Sequence, residues 1–207
     1  MARQPTLVGN TVLLVIDIQA ASFMDRSAGD QGIPTMADYG DRMRAALDVI
    51  KAARDTDIPV VFIQEIHRKN NIDYGRELDG SEGIHCREDH PGTAMPMEIT
   101  GQSKDDYFIP KRRYSAFFGT DLEILLKGLK AETLIMIGGM TDVCVHYTFV
   151  DGHQHDYYCR VVSDSVGGTS DAAHQASLNA MEYLQEGAVQ TNDEIIAAMK
   201  GLSQAAA

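Results

Sequence analysis

Segments patterned as buried β-strands alternate along this chain with segments patterned as amphipathic helices, and that alternation restricts the architecture more than any other feature. Residues 11–17, 59–65, a short piece at 107–111, 133–138 and 159–163 read as strands. Helices are expected near 36–56, 120–130, 143–156, 170–186 and 192–200. In the first of these, Met36, Tyr39, Met43, Ala46, Leu47 and Ile50 form one stripe, and Pro59 marks its exit. Asp121 and Asp171 suit helix N-termini, Gly187 suits a helix stop, and the 203–207 tail reads as frayed. The pattern predicts an α/β fold, a three-layer αβα sandwich with a mainly parallel central sheet and Rossmann-like layering. With 207 residues, 44% of them hydrophobic, the chain can bury one sizeable core, so a single domain over 1–207 is expected.

Two strand ends carry chemistry. The first strand, Thr11-Val12-Leu13-Leu14-Val15-Ile16, delivers Asp17 to its carboxyl end, the side on which open α/β sheets bind ligands, so Asp17 falls where a general base is needed. A later strand runs through Leu134-Ile135-Met136-Ile137 into Gly138-Gly139-Met140-Thr141-Asp142-Val143-Cys144. Glycines allow a tight turn there, and a cysteine in the first turn of a helix meets unpaired N–H groups and a partial positive charge that lower a thiol pKa. Asp142 is placed to fix the turn through side-chain bonds to backbone. Between these two points, Ile109-Pro110-Lys111-Arg112-Arg113-Tyr114-Ser115-Ala116-Phe117-Phe118 places a lysine in a short strand followed by aromatic residues.

The V-I-D-I-Q strand, the P-K-x-R-Y-S-A-F-F segment and the G-G-M-T-D-V-C-V turn, in that order, make the chain similar to the isochorismatase-like cysteine hydrolases over roughly Thr11 to Gly187. The resemblance implies an isochorismatase-like fold and an Asp17, Lys111, Cys144 triad. It also implies an oxyanion hole from the N–H groups of Met140 and Cys144, with a cis peptide at Gly139–Met140 aiming the former inward. Because Cys144 is present, it favours the amide-hydrolysing branch, with its N-carbamoylsarcosine, ureidoacrylate, biuret and nicotinamide hydrolases, over vinyl ether hydrolysis. Asp17 would take the thiol proton, the thiolate would attack an amide or ureido carbonyl, and water would hydrolyse the resulting thioester. A metal-assisted nicotinamidase and a non-catalytic binding or scaffold member of the fold are the alternatives.

Residues 67–106 have little periodicity and many turn formers, and a loop of that length marks a lid and specificity region. The nicotinamidase branch holds a metal through an Asp-x-His pair after the second strand and a later histidine. Here Glu65-Ile66-His67 and His85 take those places, which makes Glu65, His67 and His85 the candidate ligands for Zn²⁺ or Fe²⁺, although the thiol chemistry itself requires no cofactor. Gln19, Phe23, Tyr114, Phe117, Phe118 and Thr148 are the candidate substrate contacts, and Arg68, Arg76 or Arg112 could pair with a substrate carboxylate.

Eighteen basic against thirty acidic residues give a net charge of −12, which argues against nucleic acid or an anionic membrane surface as partner; the resemblance implies a small amide or ureido compound as substrate. The first residues, Met1-Ala2-Arg3-Gln4-Pro5, lack the apolar core of a signal peptide, no run is long enough to span a membrane, and three cysteines form no even framework. A cytoplasmic enzyme is expected, as a homodimer or homotetramer with Val145, Phe149 and Tyr157 on an exposed interface.

Overall fold

The structure, a computed structural model, describes residues 5–24 and 33–206. The N-terminal stretch Met1–Gln4, which the sequence reading set against a signal peptide, lies outside these residues. Six parallel strands form one sheet in the order β3-β2-β1-β4-β5-β6: β1 Thr11–Ile16, β2 Val60–Glu65, β3 Tyr107–Lys111, β4 Thr133–Gly139, β5 Tyr158–Gly167 and β6 Val189–Gln190. Six helices accompany it: α1 Tyr39–Asp55, α2 Met97–Thr100, α3 Leu122–Gly128, α4 Cys144–Gln154, α5 Asp171–Leu184 and α6 Asn192–Ala206. The αβα sandwich expected from the alternation is the architecture found, with the sheet wholly parallel.

Every residue of β1, β2 and β4 is buried, because helices cover both faces of the sheet. The period-two alternation of a strand divides those residues between two cores. Leu13, Val15, Phe62, Ile135 and Ile137 point toward α1 and α6, meeting Met43, Val49, Ile50, Ile195 and Met199. Val12, Leu14, Ile16, Ile63 and Met136 point the other way, toward Leu122, Leu126, Val145, Phe149 and Met181 of α3, α4 and α5. Truncating one such side chain, Leu14→Ala for example, removes contacts on all sides and costs about 2–5 kcal/mol.

Several boundaries differ from the sequence expectation. The strand expected at 159–163 runs on to Gly167, and the two-residue β6 went unseen because so short a run has no period to detect. The last helix continues to Ala206 through the tail read as frayed. Asp121 sits at the N-cap of α3 without a side-chain cap bond; the Thr120 hydroxyl accepts the Leu122 N–H instead. Asp171 opens α5 as the acid of its first turn, as expected, and Ser170 caps the helix, its Oγ accepting from the Ala173 N–H. The 67–106 segment holds α2 and two short 3₁₀ turns, Glu77–Asp79 and Pro91–Thr93. Val145 and Phe149 are fully buried and Tyr157 nearly so, so they are core residues and not an exposed interface: their side of α4 faces the sheet. No helix among the described residues is long and apolar enough to cross a membrane.

Candidate active site

Parallel pairing places four strand ends side by side. Glu65 pairs with Lys111 at the ends of β2 and β3, and Ile16, the residue before Asp17, pairs with Gly138 of β4. The carboxyl edge of the sheet therefore brings Lys111, Glu65, Asp17 and the glycine turn before Cys144 to one place. Gly138 has φ +112°, and a Cβ on it would overlap the Ile16 carbonyl oxygen, so the turn needs glycine at that position. Gly139 is covered by the Tyr39 ring, which leaves no room for a side chain there either. The Gly139–Met140 peptide is cis, as the resemblance implied.

The three residues of the expected triad meet. Lys111 Nζ lies 2.8 Å from Asp17 Oδ2 and donates to Cys144 Sγ at 3.4 Å. Asp17 Oδ1 accepts the Glu65 N–H at 2.7 Å. Glu65 is a fourth participant that sequence reasoning had placed only among metal candidates: its Oε2 pairs with Lys111 and accepts from the Cys144 thiol at 3.4 Å. The strand register, which sets Glu65 opposite Lys111, was the signal that could have found it.

Charge in this cluster is set by burial. Removal from water raises Asp17 to about 6, with Glu65 adding to the rise and Lys111 opposing it. Burial would also raise Glu65, but the Lys111 cation, the nearby His67 ring and the hydrogen bond from His85 hold it well below the usual carboxylate range. The Cys144 thiol is pushed well up, first by burial and then by Glu65 and Asp17, with Lys111 offsetting only part. The direction is opposite to the lowered thiol pKa expected from the sequence: the helix N-terminus and the cation are present, but burial beside two carboxylates outweighs them. Asp17, the carboxylate closest to neutrality, is the one suited to take the thiol proton.

Cys144 is the first residue of α4. Among the described residues the Met140 and Cys144 amides have no hydrogen-bond acceptor, and both residues line a cavity of about 640 Å³ together with Asp17, Gln19, Tyr39 and Tyr114. Two unengaged N–H groups beside a thiol are the kind of donors a tetrahedral oxyanion requires. Gln19 donates to the Thr93 carbonyl at 2.8 Å, tying the β1 end to the long loop.

The other candidate substrate contacts are placed elsewhere. Phe23 packs on the core under α1, and Phe117 packs on the opposite core and stacks on His155. Phe118 is 66% exposed, and Thr148 is buried with its hydroxyl accepting the Ala116 N–H at 2.9 Å, so it supports the segment after Lys111. Arg68 and Arg112 pair with Asp73, and Arg76 pairs with Asp79; none of the three lines the cavity. Asp142 does brace the turn as expected, its Oδ1 accepting the Thr169 N–H at 2.8 Å.

Behind Glu65, the metal candidates are joined by Glu77. His67 Nε2 lies 3.4 Å from Glu65 Oε1 and 3.2 Å from Glu77 Oε2, and His85 Nε2 lies 2.8 Å from Glu65 Oε1. These separations are near the roughly 3.3 Å between ligand atoms of a tetrahedral zinc site with bonds of about 2.0 Å. The ring nitrogens of His67 and both Glu77 oxygens, all buried, make no hydrogen bond of good geometry. Burial alone would lower His67, but Glu65 and Glu77 outweigh it and hold the imidazole at about 9. The donor set, two imidazoles and two carboxylates, fits a zinc-like ion. Glu77 was missed because it lies in the aperiodic loop.

The family model for the isochorismatase domain matches residues 11–194. The chain is 27% identical over 202 residues to ureidoacrylate amidohydrolase RutB of Pseudomonas syringae pv. syringae, an alignment spanning 87% of this chain and 76% of the relative. Among solved structures, a cysteine hydrolase from Pseudomonas syringae pv. phaseolicola superposes with a TM-score of 0.80 at 24% identity, covering 97% of this chain and 99% of that one. An isochorismatase-like hydrolase from Alkaliphilus metalliredigens gives 0.75 at 27% identity, covering 92% and 99%. A pyrazinamidase of Pyrococcus horikoshii in complex with zinc gives 0.72 at 23% identity, covering 88% and 98%. Motifs, fold and family model agree, and the chain belongs to the isochorismatase-domain family of hydrolases.

Proposed function

We propose that this hydrolase is a thiol-dependent amidohydrolase that cleaves the C–N bond of a small carboxamide or N-carbamoyl compound through a thioester on Cys144. The observation that carries this reading is the meeting of Cys144 Sγ with Lys111 Nζ at 3.4 Å, itself 2.8 Å from the Asp17 carboxylate, beside two unengaged backbone amides. The proton passes from Sγ to Asp17. Before transfer the buried cluster holds two carboxylates and one ammonium; afterwards it holds a thiolate, one carboxylate and the same ammonium, so the net charge is unchanged and no ion has to enter from water. The thiolate attacks the carbonyl carbon, and the negative charge moves to an oxygen facing the Met140 and Cys144 N–H groups. Asp17 then gives its proton to the departing nitrogen as the C–N bond breaks. A water enters, loses a proton to Asp17 and attacks the thioester; the acid or carbamate leaves and the thiol takes its proton back.

A second reading, a metal-assisted nicotinamidase, is favoured by the donor set of Glu65, His67, Glu77 and His85. An ion held there would supply positive charge behind Glu65. Neither His67 nor Glu77 lines the cavity, so every step written above uses only side chains and amides of the chain. This reading requires stoichiometric metal in the purified protein and loss of activity on chelation; the metal-free thiol route requires neither.

Ammonia release from a panel of nicotinamide, N-carbamoylsarcosine, ureidoacrylate-like compounds and biuret tests the proposal. Release by wild type and none by Cys144→Ala is the expected result. Equal release by both proteins would overturn the thiol role, since the C–N bond would then be cleaved without the cysteine.

A further inference from the structure

Glu82 stands in the long loop after the 3₁₀ turn at Glu77–Asp79, half-buried, in the wall of the active-site cavity. Among the described residues its only hydrogen-bond partner is the Tyr114 hydroxyl, which donates to Oε2 at 3.3 Å, and none of their cations lies within ion-pair distance of it. An ionised carboxylate offers about four acceptor sites, so most of this one's capacity is unused.

The nearby cations among the described residues are committed elsewhere. Lys111 is held by Asp17 and Glu65, and Arg44 at the rim pairs with Asp41 at 3.2 Å. His85 uses both ring nitrogens, Nε2 on Glu65 at 2.8 Å and Nδ1 on the Gly83 carbonyl at 2.7 Å. Burial pushes the Glu82 carboxyl up, with the His85 imidazole opposing the rise and the Glu65 charge adding to it. The described wall thus carries acids in excess, Asp17, Asp41, Glu65 and Glu82, on a chain whose net charge of −12 already draws cations and repels anions.

We infer that Glu82, steadied by Tyr114, is a specificity-determining residue that binds a positively charged nitrogen group, an ammonium or guanidinium, at the end of the substrate remote from the scissile amide. The inference rests on the amidohydrolase reading and narrows its substrate class: the favoured substrate is an amide or ureide with a cationic end, and one with a carboxylate there is rejected. A charge-assisted bond to a partly desolvated carboxylate fixes the far end of a flexible ligand and so sets which carbonyl reaches Cys144.

Binding to the Cys144→Ala protein tests this without turnover. Short ω-amino amides are compared by calorimetry with the half-amides of dicarboxylic acids of the same lengths. The expected result is at least about tenfold tighter binding of the amino amides, with Glu82→Gln in the same background weakening them about 10- to 100-fold and leaving the half-amides unchanged or improved. Tyr114→Phe moves the preference in the same direction by less. Equal affinity for the two series, a preference that survives Glu82→Gln, or binding of neither series would each overturn the inference. Turnover with Cys144 intact separates the two readings. Cysteine-dependent hydrolysis indifferent to end charge would remove the Glu82 role and leave the thiol hydrolase standing, whereas charge-selective binding without hydrolysis would do the reverse.

Discussion

The catalytic edge of the sheet and the long loop above it are built on opposite principles. At the edge, Asp17, Glu65, Lys111 and the Gly138–Cys144 turn are attached directly to buried parallel strands, and their positions follow from strand register. In the loop, one backbone bridge joins His67 to Arg87, and the rest of the hold comes from side chains: His67 stacks on Tyr74 at 3.9 Å between ring centroids, and the Tyr74 hydroxyl binds the His85 backbone. The edge cannot change without disturbing the core, whereas the loop can be rewritten residue by residue. On the proposed reading, the difference puts reaction type in the strands and substrate choice in the loop.

If this division is right, substitutions at the edge should abolish chemistry and those in the loop should redirect it. The largest effect is expected for Cys144→Ala, a loss of kcat on the order of 10,000-fold or more with the thermal transition little changed, because a small side chain beside a cavity replaces another. Lys111→Ala comes next and differs in kind. It leaves the Asp17 and Glu65 carboxylates buried together without their cation, so urea denaturation should show a loss of about 3–5 kcal/mol alongside lost activity. Gly138→Ala forces a Cβ against the Ile16 carbonyl at φ +112° and should cost about 2–5 kcal/mol in the same assay.

A milder probe is pH. Asp17 must be ionised to accept the thiol proton and sits at about 6, so kcat/KM should be level above that value and fall about tenfold per unit as pH drops through it. A profile flat down to pH 5 would remove Asp17 as the base. The smallest effects are expected outside the cavity: Arg76→Ala and Phe118→Ala, at 93% side-chain and 66% exposure, should change stability by less than about 0.5 kcal/mol and leave kcat/KM unaltered. A substantial loss at either would show that the loop and the segment after Lys111 do more than the comparison allows.

The same division explains what could be read without coordinates. The continuous apolar runs that deliver Asp17 and Cys144 have a period and an end, so their strands, the parallel sheet and the expected triad were legible. The helix at 36–56 announced itself through its stripe from Tyr39 to Ile50, yet that Tyr39 roofs Gly139 and lines the cavity required coordinates. Glu65 was visible as a candidate ligand, but its contact with Lys111 depends on which strands are neighbours, and sequence order does not give the β3-β2-β1-β4 arrangement. Glu77 and Glu82 sit in a stretch with no period, where carboxylates facing the site and carboxylates facing water look alike. The aromatic residues Phe117 and Phe118 misled for the complementary reason: adjacency to Lys111 in sequence does not fix direction, and past the strand end one turns to the core and the other to solvent.

The central claim is that the Cys144 sulfur carries the acyl group. Intact-mass spectrometry of enzyme quenched during turnover of an amide it hydrolyses is the most direct measurement. A mass increase equal to the acyl portion of the substrate, mapped to the Cys144 peptide, reversed by hydroxylamine and absent in Cys144→Ser, is the predicted result. Turnover with no adduct in wild type, together with an undiminished rate in Cys144→Ala, would contradict it.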